Sequence, residues 1–264
     1  TYEPLPLETF ILRDPKTRRI SVSDFRDRVV HHAMVNVLEP IFEKYFIYDS
    51  YANRRGKGSL KALNRFDMFK RNASMNGKRV PSAMDNNNVR GFALKADIKH
   101  YFDTVDHAKL LVVIRKKITD NDVLDLITNV IKNYHSKLPS KGMPLGNLTS
   151  QFFANLYLSG LDYFVKQQLK AKFYIRYVDD FVLLDKSKEK LEKAKLQIYE
   201  FLKTIGLELH PEKSQIYPLQ KGVKFLGFRI FYHYKILNKK NVRKMEYRLA
   251  EFERLYKEKK ISAI

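Results

Sequence analysis

The sequence predicts an α+β fold in which an antiparallel sheet is backed by helices, and three observations predict it. Apolar residues recur at helical spacing over long stretches, and short apolar runs bounded by turn residues lie between them. Strands then gather in the second half of the chain before a final helix. With 44% hydrophobic and 13% aromatic residues, the 264-residue chain can bury the core of one large domain or two packed subdomains.

Taken in order, Phe25, Val29, Val30, Met34, Val37, Leu38, Ile41 and Phe42 predict a long first helix over about Asp24 to Phe46, bent at Pro40. Tyr51 to Asn88 is polar and basic, broken by Gly56, Gly58, Gly77 and Pro81, and reads as a mobile arm over an anionic ligand. Phe92 to Ile98 reads as a strand, followed by amphipathic helices over Asp106 to Lys117 and Asp120 to Tyr134. The Gly142 to Gly146 loop feeds a helix over Leu148 to Leu169, and Phe173 to Asp185 reads as two strands meeting in a tight turn. A lysine-rich helix (Ser187 to Ile205) and a short strand near Leu207 come next. Strands through Ile216, Phe225 to Phe231 and Tyr234 to Leu237 lead to a basic helix over Asn241 to Lys259. No internal repeat or low-complexity tract interrupts this order.

Lys and Arg number 50 against 29 Asp and Glu, a formal charge of +21. Such an excess points to a polyanion, because neutralising phosphates releases counterions whatever the sequence bound; an anionic membrane surface is the blander alternative. The absence of cysteine excludes disulfides, thiolate zinc sites and cysteine nucleophiles. No apolar run reaches about 18 residues and the first residues lack a secretory pattern, so the expectation is a cytoplasmic protein with no membrane partner. The seven histidines form no metal pattern and read as structural or RNA-contacting.

The sharpest chemical signal is Tyr177-Val178-Asp179-Asp180, set between Phe173-Tyr174-Ile175-Arg176 and Phe181-Val182-Leu183-Leu184. A tight turn alone would be better served by Asn-Gly or Asp-Gly, so two acids there ask for a compensating charge. Asp97 ends another apolar strand, and if the two strands are neighbours the three carboxylates meet. Mg²⁺ suits such a site, since it takes one or two carboxylates and completes its octahedron with water and phosphate oxygens. Two ions about 4 Å apart can clamp the attacking and leaving oxygens of an in-line phosphoryl transfer. Surface acids in a loop are the plain alternative.

The Tyr177 to Asp180 box resembles the Tyr-x-Asp-Asp signature of reverse transcriptases, and further boxes follow that family's order. Ala96-Asp97-Ile98-Lys99-His100-Tyr101-Phe102-Asp103 resembles the strand with the first catalytic acid, as in group II intron-like bacterial enzymes. Ser50-Tyr51-Ala52-Asn53-Arg54-Arg55-Gly56-Lys57 resembles a fingers motif, Asp27-Arg28-Val29-Val30 with Leu38-Glu39-Pro40-Ile41-Phe42 the helix before it, and Phe225-Leu226-Gly227-Phe228 the primer-grip hairpin. The resemblance spans about residues 10 to 240. It implies a right-hand polymerase fold: fingers over 1–91, palm over 92–115, a fingers/palm insertion over 116–145, palm with catalytic hairpin and primer grip over 146–238, and the start of a minimal helical thumb over 239–264. No endonuclease or RNase H motif accompanies it.

The resemblance further implies residue roles. Asp97, Asp179 and Asp180 would be the catalytic acids holding two Mg²⁺ ions, with Mn²⁺ an alternative and the Ile98 carbonyl completing a metal shell. Phe102 would block a ribose 2′-hydroxyl. Arg54 and Lys57 would hold the triphosphate, a reading preferred to a phosphate-binding loop because Gly56-Lys57-Gly58-Ser59 lacks the upstream glycine. Leu145, Gly146 and Gln151 would border the incoming nucleotide, with Asn155 beside Gln151 on the template side. Lys213 would face the departing pyrophosphate, and Phe225, Leu226 and Gly227 would grip the primer. Lys239, Lys240, Arg243, Lys244 and Arg248, with Tyr247, would track the duplex.

Gly142-Met143-Pro144-Leu145-Gly146-Asn147-Leu148-Thr149-Ser150-Gln151 has Leu145 where group II intron enzymes carry Gln, and Gln151 where they carry Pro. That pairing resembles the reverse transcriptases of diversity-generating retroelements, bacterial or phage-encoded enzymes that copy a template RNA with adenine errors. The implied partners are template RNA, primer or cDNA, dNTPs and a small basic accessory protein. The alternatives are a retron, CRISPR-associated, phage-defence or group II intron-type enzyme, and a non-catalytic RNA-binding or maturation protein.

Overall fold

A computed structural model describes residues 2–13, 17–81, 88–134, 136 and 138–262. Segment 82–87 of the expected basic arm lies outside the described residues. The organising element is a four-stranded antiparallel sheet in the order β4-β5-β3-β6, built from β3 (Phe92–Asp97), β4 (Phe173–Tyr177), β5 (Asp180–Asp185) and β6 (Gln215–Pro218). Successive side chains of a strand face opposite ways. Leu94, Ala96, Tyr174, Phe181 and Leu183 therefore enter one apolar cluster, and Ala93, Ile175, Val182 and Leu184 enter another. Burial on both faces explains why these strands read as near-continuous apolar runs rather than alternating ones.

Helices α1 (Phe25–Glu43), α3 (Tyr101–Thr104), α4 (His107–Arg115), α5 (Asn121–Lys132), α6 (Leu148–Tyr157) and α8 (Lys188–Thr204) supply the first cluster. The starts of α1, α4, α5 and α8 were written locally, since Asp24, Asp106, Asp120 and Ser187 each cap a first turn through the side-chain oxygen. Helix α1 runs through Pro40 to Glu43, three residues short of the expected end. The second face is covered by helix α2 (Ser59–Ala73) and by a small sheet of β7 (Val223–Phe225), β8 (Phe228–Ile230) and β9 (Lys235–Leu237).

Several expectations need correction. The basic stretch after Tyr51 is no arm: Ala62, Leu63, Phe66 and Phe69 of α2 are buried, and their spacing of one, three and three is a helical stripe that charge had obscured. Leu148 to Leu169 is broken into α6, α7 (Ser159–Tyr163) and a π turn (Phe164–Gln168). Leu207 is in no strand; the neighbouring Leu209 makes only an isolated bridge to Ile98. Phe225 to Phe231 is not one strand but β7, a two-residue turn and β8. A hairpin of β1 (Glu8–Leu12) and β2 (Arg18–Val22) precedes α1 and was not expected. The last helix, α9 (Lys239–Lys257), carries the expected basic residues and buries none of its side chains.

Candidate active site

Strand pairing brings the acids together. In the β3–β5 register Asp97 lies directly across from Asp180, and the Tyr177–Asp180 pair closes the β4–β5 hairpin with Val178 and Asp179 as its loop. Opposed residues of an antiparallel pair have Cα atoms roughly 4.5–5.5 Å apart, so two carboxylates distant in sequence become neighbours. Asp179 is tied in as well, its carbonyl accepting from the Ile98 amide at 3.2 Å.

Like charges at this density raise one another's proton affinity. Burial pushes the Asp179 carboxyl above its usual range, and the nearby Asp97 charge adds to it, against Lys213 and Arg18. Asp180 is pushed up to about 6, first by burial and then by Asp97 and Asp179, while Lys95 opposes the rise. Two lysines offset part of this charge: Lys213 Nζ donates to Asp97 Oδ1 at 3.2 Å, and Lys95 Nζ stands 3.0 Å from Asp180 Oδ1. The His210 amide donates to the Asp97 carbonyl at 2.7 Å, which straps the Lys213 loop to the end of β3. Crowded, partly desolvated carboxylates fit a divalent cation, which would relieve the repulsion that now raises their proton affinity. Among the described residues no three His, Asp or Glu side chains form a ready-made cation cage, so the acids would have to turn inward to close one.

The turn that carries Asp179 rests on a buried polar network that sequence reading missed. Arg176 is fully buried and pairs with Asp162 at 2.6 and 2.7 Å, while its third nitrogen donates to Asn155 Oδ1 at 3.0 Å and to the Val178 carbonyl at 3.2 Å. Tyr174 adds a hydroxyl to Asp162 at 2.8 Å. Asn155 is thus inside the protein rather than along a template, because Arg176 and the Ala52 carbonyl consume its amide. An arginine in an apolar strand opposite a helix with one acid was the available signal.

Phe102 is half-buried against Tyr101, ring centroids 5.5 Å apart, and its carbonyl accepts the Met143 amide at 2.7 Å, so the Gly142 loop docks beside it. Gly146 and Gln151 line one open cleft with Arg28, His31 and His32, and the Leu145 carbonyl accepts the Ser21 amide at 3.0 Å. Packing against β2 already requires Gly146: at φ 129, an added Cβ would lie 2.9 Å from Ile20 Cγ2.

Arg54 is a correction. Its guanidinium is bound by Glu43 and by the Ile47 and Ser50 carbonyls, so a tightly held loop, not a triphosphate, uses its donors. Lys57 donates to the Tyr48 carbonyl at 2.8 Å and lies over the Tyr48 ring. Phe225 is the second correction: it is 1% exposed and stacks on Phe66, leaving only Leu226 and Gly227 at the hairpin tip to reach a ligand. His31 and His107 are buried, the latter bonded to the Gly142 carbonyl, which makes them structural.

Residues 13–230 match the family model described as reverse transcriptase (RNA-dependent DNA polymerase). Protein YkfC of Escherichia coli is 26% identical over 87% of this chain and 68% of its own length, and the group II intron-encoded protein LtrA of Lactococcus lactis is 26% identical over 87% of the chain. The chain spans only 47% of LtrA. Among solved structures, telomerase from Candida albicans, in complex with a fragment of telomeric RNA, superposes on 89% of this chain and 47% of its own with a TM-score of 0.64 at 12% identity. That likeness supports the right-hand polymerase fold, and with the match over residues 13–230 it places this chain in the reverse transcriptase family.

Proposed function

We propose that the chain catalyses RNA-templated addition of deoxynucleotides to a primer 3′-hydroxyl, with Asp97 and Asp179 as the direct metal ligands. The observation that carries this reading is the Asp97–Asp180 register pair with Asp179 in the adjoining turn. Two Mg²⁺ ions, or Mn²⁺ in their place, would lower the nucleophile's pKa and neutralise the leaving pyrophosphate. Asp180 and the Ile98 carbonyl border the same position. Lys213, an exposed ammonium already 3.2 Å from Asp97, can give charge or a proton to pyrophosphate. Phe102 excludes a 2′-hydroxyl by bulk, so DNA is the product. Lys57 is left as the fingers cation for the triphosphate, and Gln151 with Arg28 and His32 faces the template. Leu226 and Gly227 meet the primer, and the basic side chains of α9 follow the duplex.

The finer reading is error-prone copying of a template RNA in a diversity-generating retroelement, in a bacterial or phage-infected cytoplasm with a small basic accessory protein. Leu145 supports it: an apolar side chain at that position offers no hydrogen bond with which to discriminate nucleotides, and binding differences there are worth only about 1–3 kcal/mol. The test is primer extension on an RNA template with each dNTP omitted in turn. Asp179→Asn should lower extension at least about a thousandfold, the loss of several kcal/mol of transition-state stabilisation. Retained extension in that variant would overturn the assignment. Leu145→Gln should reduce misincorporation opposite adenine, and unchanged errors would remove the retroelement rationale.

A further inference from the structure

Each lysine at the site meets a different acid in a different environment. Lys213 comes from the loop after α8 and is about half exposed, so water screens its pairing with Asp97. Lys95 comes from β3 itself, two residues before Asp97 and therefore on the same strand face. Across the ladder Lys95 is opposite Val182 and Asp97 is opposite Asp180, so the ammonium reaches diagonally to the Asp180 carboxylate. Side-chain exposure is only 17% for Lys95 and 24% for Asp180, and their atoms are 3.0 Å apart. The Asp180 oxygen facing Lys95 is sealed from solvent and has no hydrogen-bond partner, so the contact is one of charge. Both side chains lie on the sheet face whose other residues, Ala93, Val182 and Leu184, are apolar core. A lysine in that row has no packing advantage over an aliphatic residue. Its charge is the reason for its presence.

We propose that Lys95 is a positioning residue that turns Asp180 toward the sheet and holds it there as a counter-ion, leaving Asp97 and Asp179 to face the cation. Two neighbouring acids of one turn are thereby divided in role by a lysine on the adjacent strand. This assignment rests on the two-metal reading above, and the fixed positive charge also limits how strongly the cluster attracts divalent cations in the absence of substrate.

The test is a double-mutant cycle of Lys95→Met and Asp180→Asn, read by Mn²⁺ binding without nucleic acid and by primer extension. Methionine keeps the length and apolar stem, and Lys95→Arg restores the charge. At about pH 8, where exposed carboxylates are ionised, Lys95→Met should tighten Mn²⁺ binding roughly three- to tenfold, because the Asp180 carboxylate, released from its counter-ion, adds its charge to the acids that face the cation. Extension by Lys95→Met should fall about tenfold, and the same change in the Asp180→Asn background should have less than about a twofold effect on either readout. Lys95→Arg should return both values toward wild type. Equal effects of Lys95→Met in both backgrounds, or a change in thermal stability with unaltered Mn²⁺ affinity, would overturn the proposal. If the wild-type chain extends no primer, the polymerase reading fails, yet Mn²⁺ binding still decides the role of Lys95.

Discussion

Two hairpins in this protein turn within two residues and could hardly differ more in what supports them. Between β7 and β8, Leu226 and Gly227 have φ of 45 and 85, the left-handed pair that matches the twist of the flanking strands. Between β4 and β5, only Val178 is left-handed, at φ 56, and a β-branched residue resists that conformation. The second turn is strained by about 1–3 kcal/mol and must be held from outside. Arg176, anchored by Asp162 and Asn155, donates to the Val178 carbonyl and so holds it. The difference teaches that the acid-bearing turn is held by buried charge beneath it, whereas the other sets its one disfavoured residue, Leu226, beside a glycine that takes φ 85 freely.

The strongest challenge to that comparison is removal of the anchor. Arg176→Met should cost about 3–5 kcal/mol in urea unfolding, because Asp162 is left buried without a partner. A cost under about 1 kcal/mol would show that the turn does not depend on this network.

A pH titration sharpens the electrostatic side. Asp180 holds its proton more tightly when folded, with a value of about 6 against 3.8 for the free side chain. The folded state then binds more protons than the unfolded one between those values, so this group's contribution is present below about 3.8 and lost as pH rises through about 6. Asp180→Asn, compared with wild type in EDTA, should be the more stable protein at neutral pH by at most about 3 kcal/mol, with the gap closing toward pH 4. A gap that widens on acidification would reverse the sign assigned to Asp180.

The smallest effects come from exchanging the turns' chemistry. Gly227→Ala should lose about 1 kcal/mol or slightly more, since alanine is disfavoured at φ 85 and its Cβ would stand 3.1 Å from Asn241 Nδ2. Val178→Gly should move the other way by up to about 1 kcal/mol in chemical denaturation, because relief of strain outweighs the added freedom of the unfolded chain. Opposite signs at the two turns are the signature expected; equal signs would remove the distinction.

Much of the fold was legible because local rules wrote it: capping residues marked α1, α4, α5 and α8, and apolar runs marked β3, β4 and β5. Where charge density was taken for mobility, as in α2, an apolar stripe of four residues, Ala62, Leu63, Phe66 and Phe69, was present and overlooked. Arg54 was misjudged because a basic residue's type tells nothing of whether a nearby carboxylate, here Glu43, already holds it.

By itself the sequence determined that Asp97, Asp179 and Asp180 would end or join strands, since apolar runs and a turn bracket each of them. Only the tertiary structure decided how those acids differ. Lys95, Lys213 and Arg176 reach them across strands and loops, and Coulomb forces depend on distance and solvent exposure, which strand register sets and residue order alone does not.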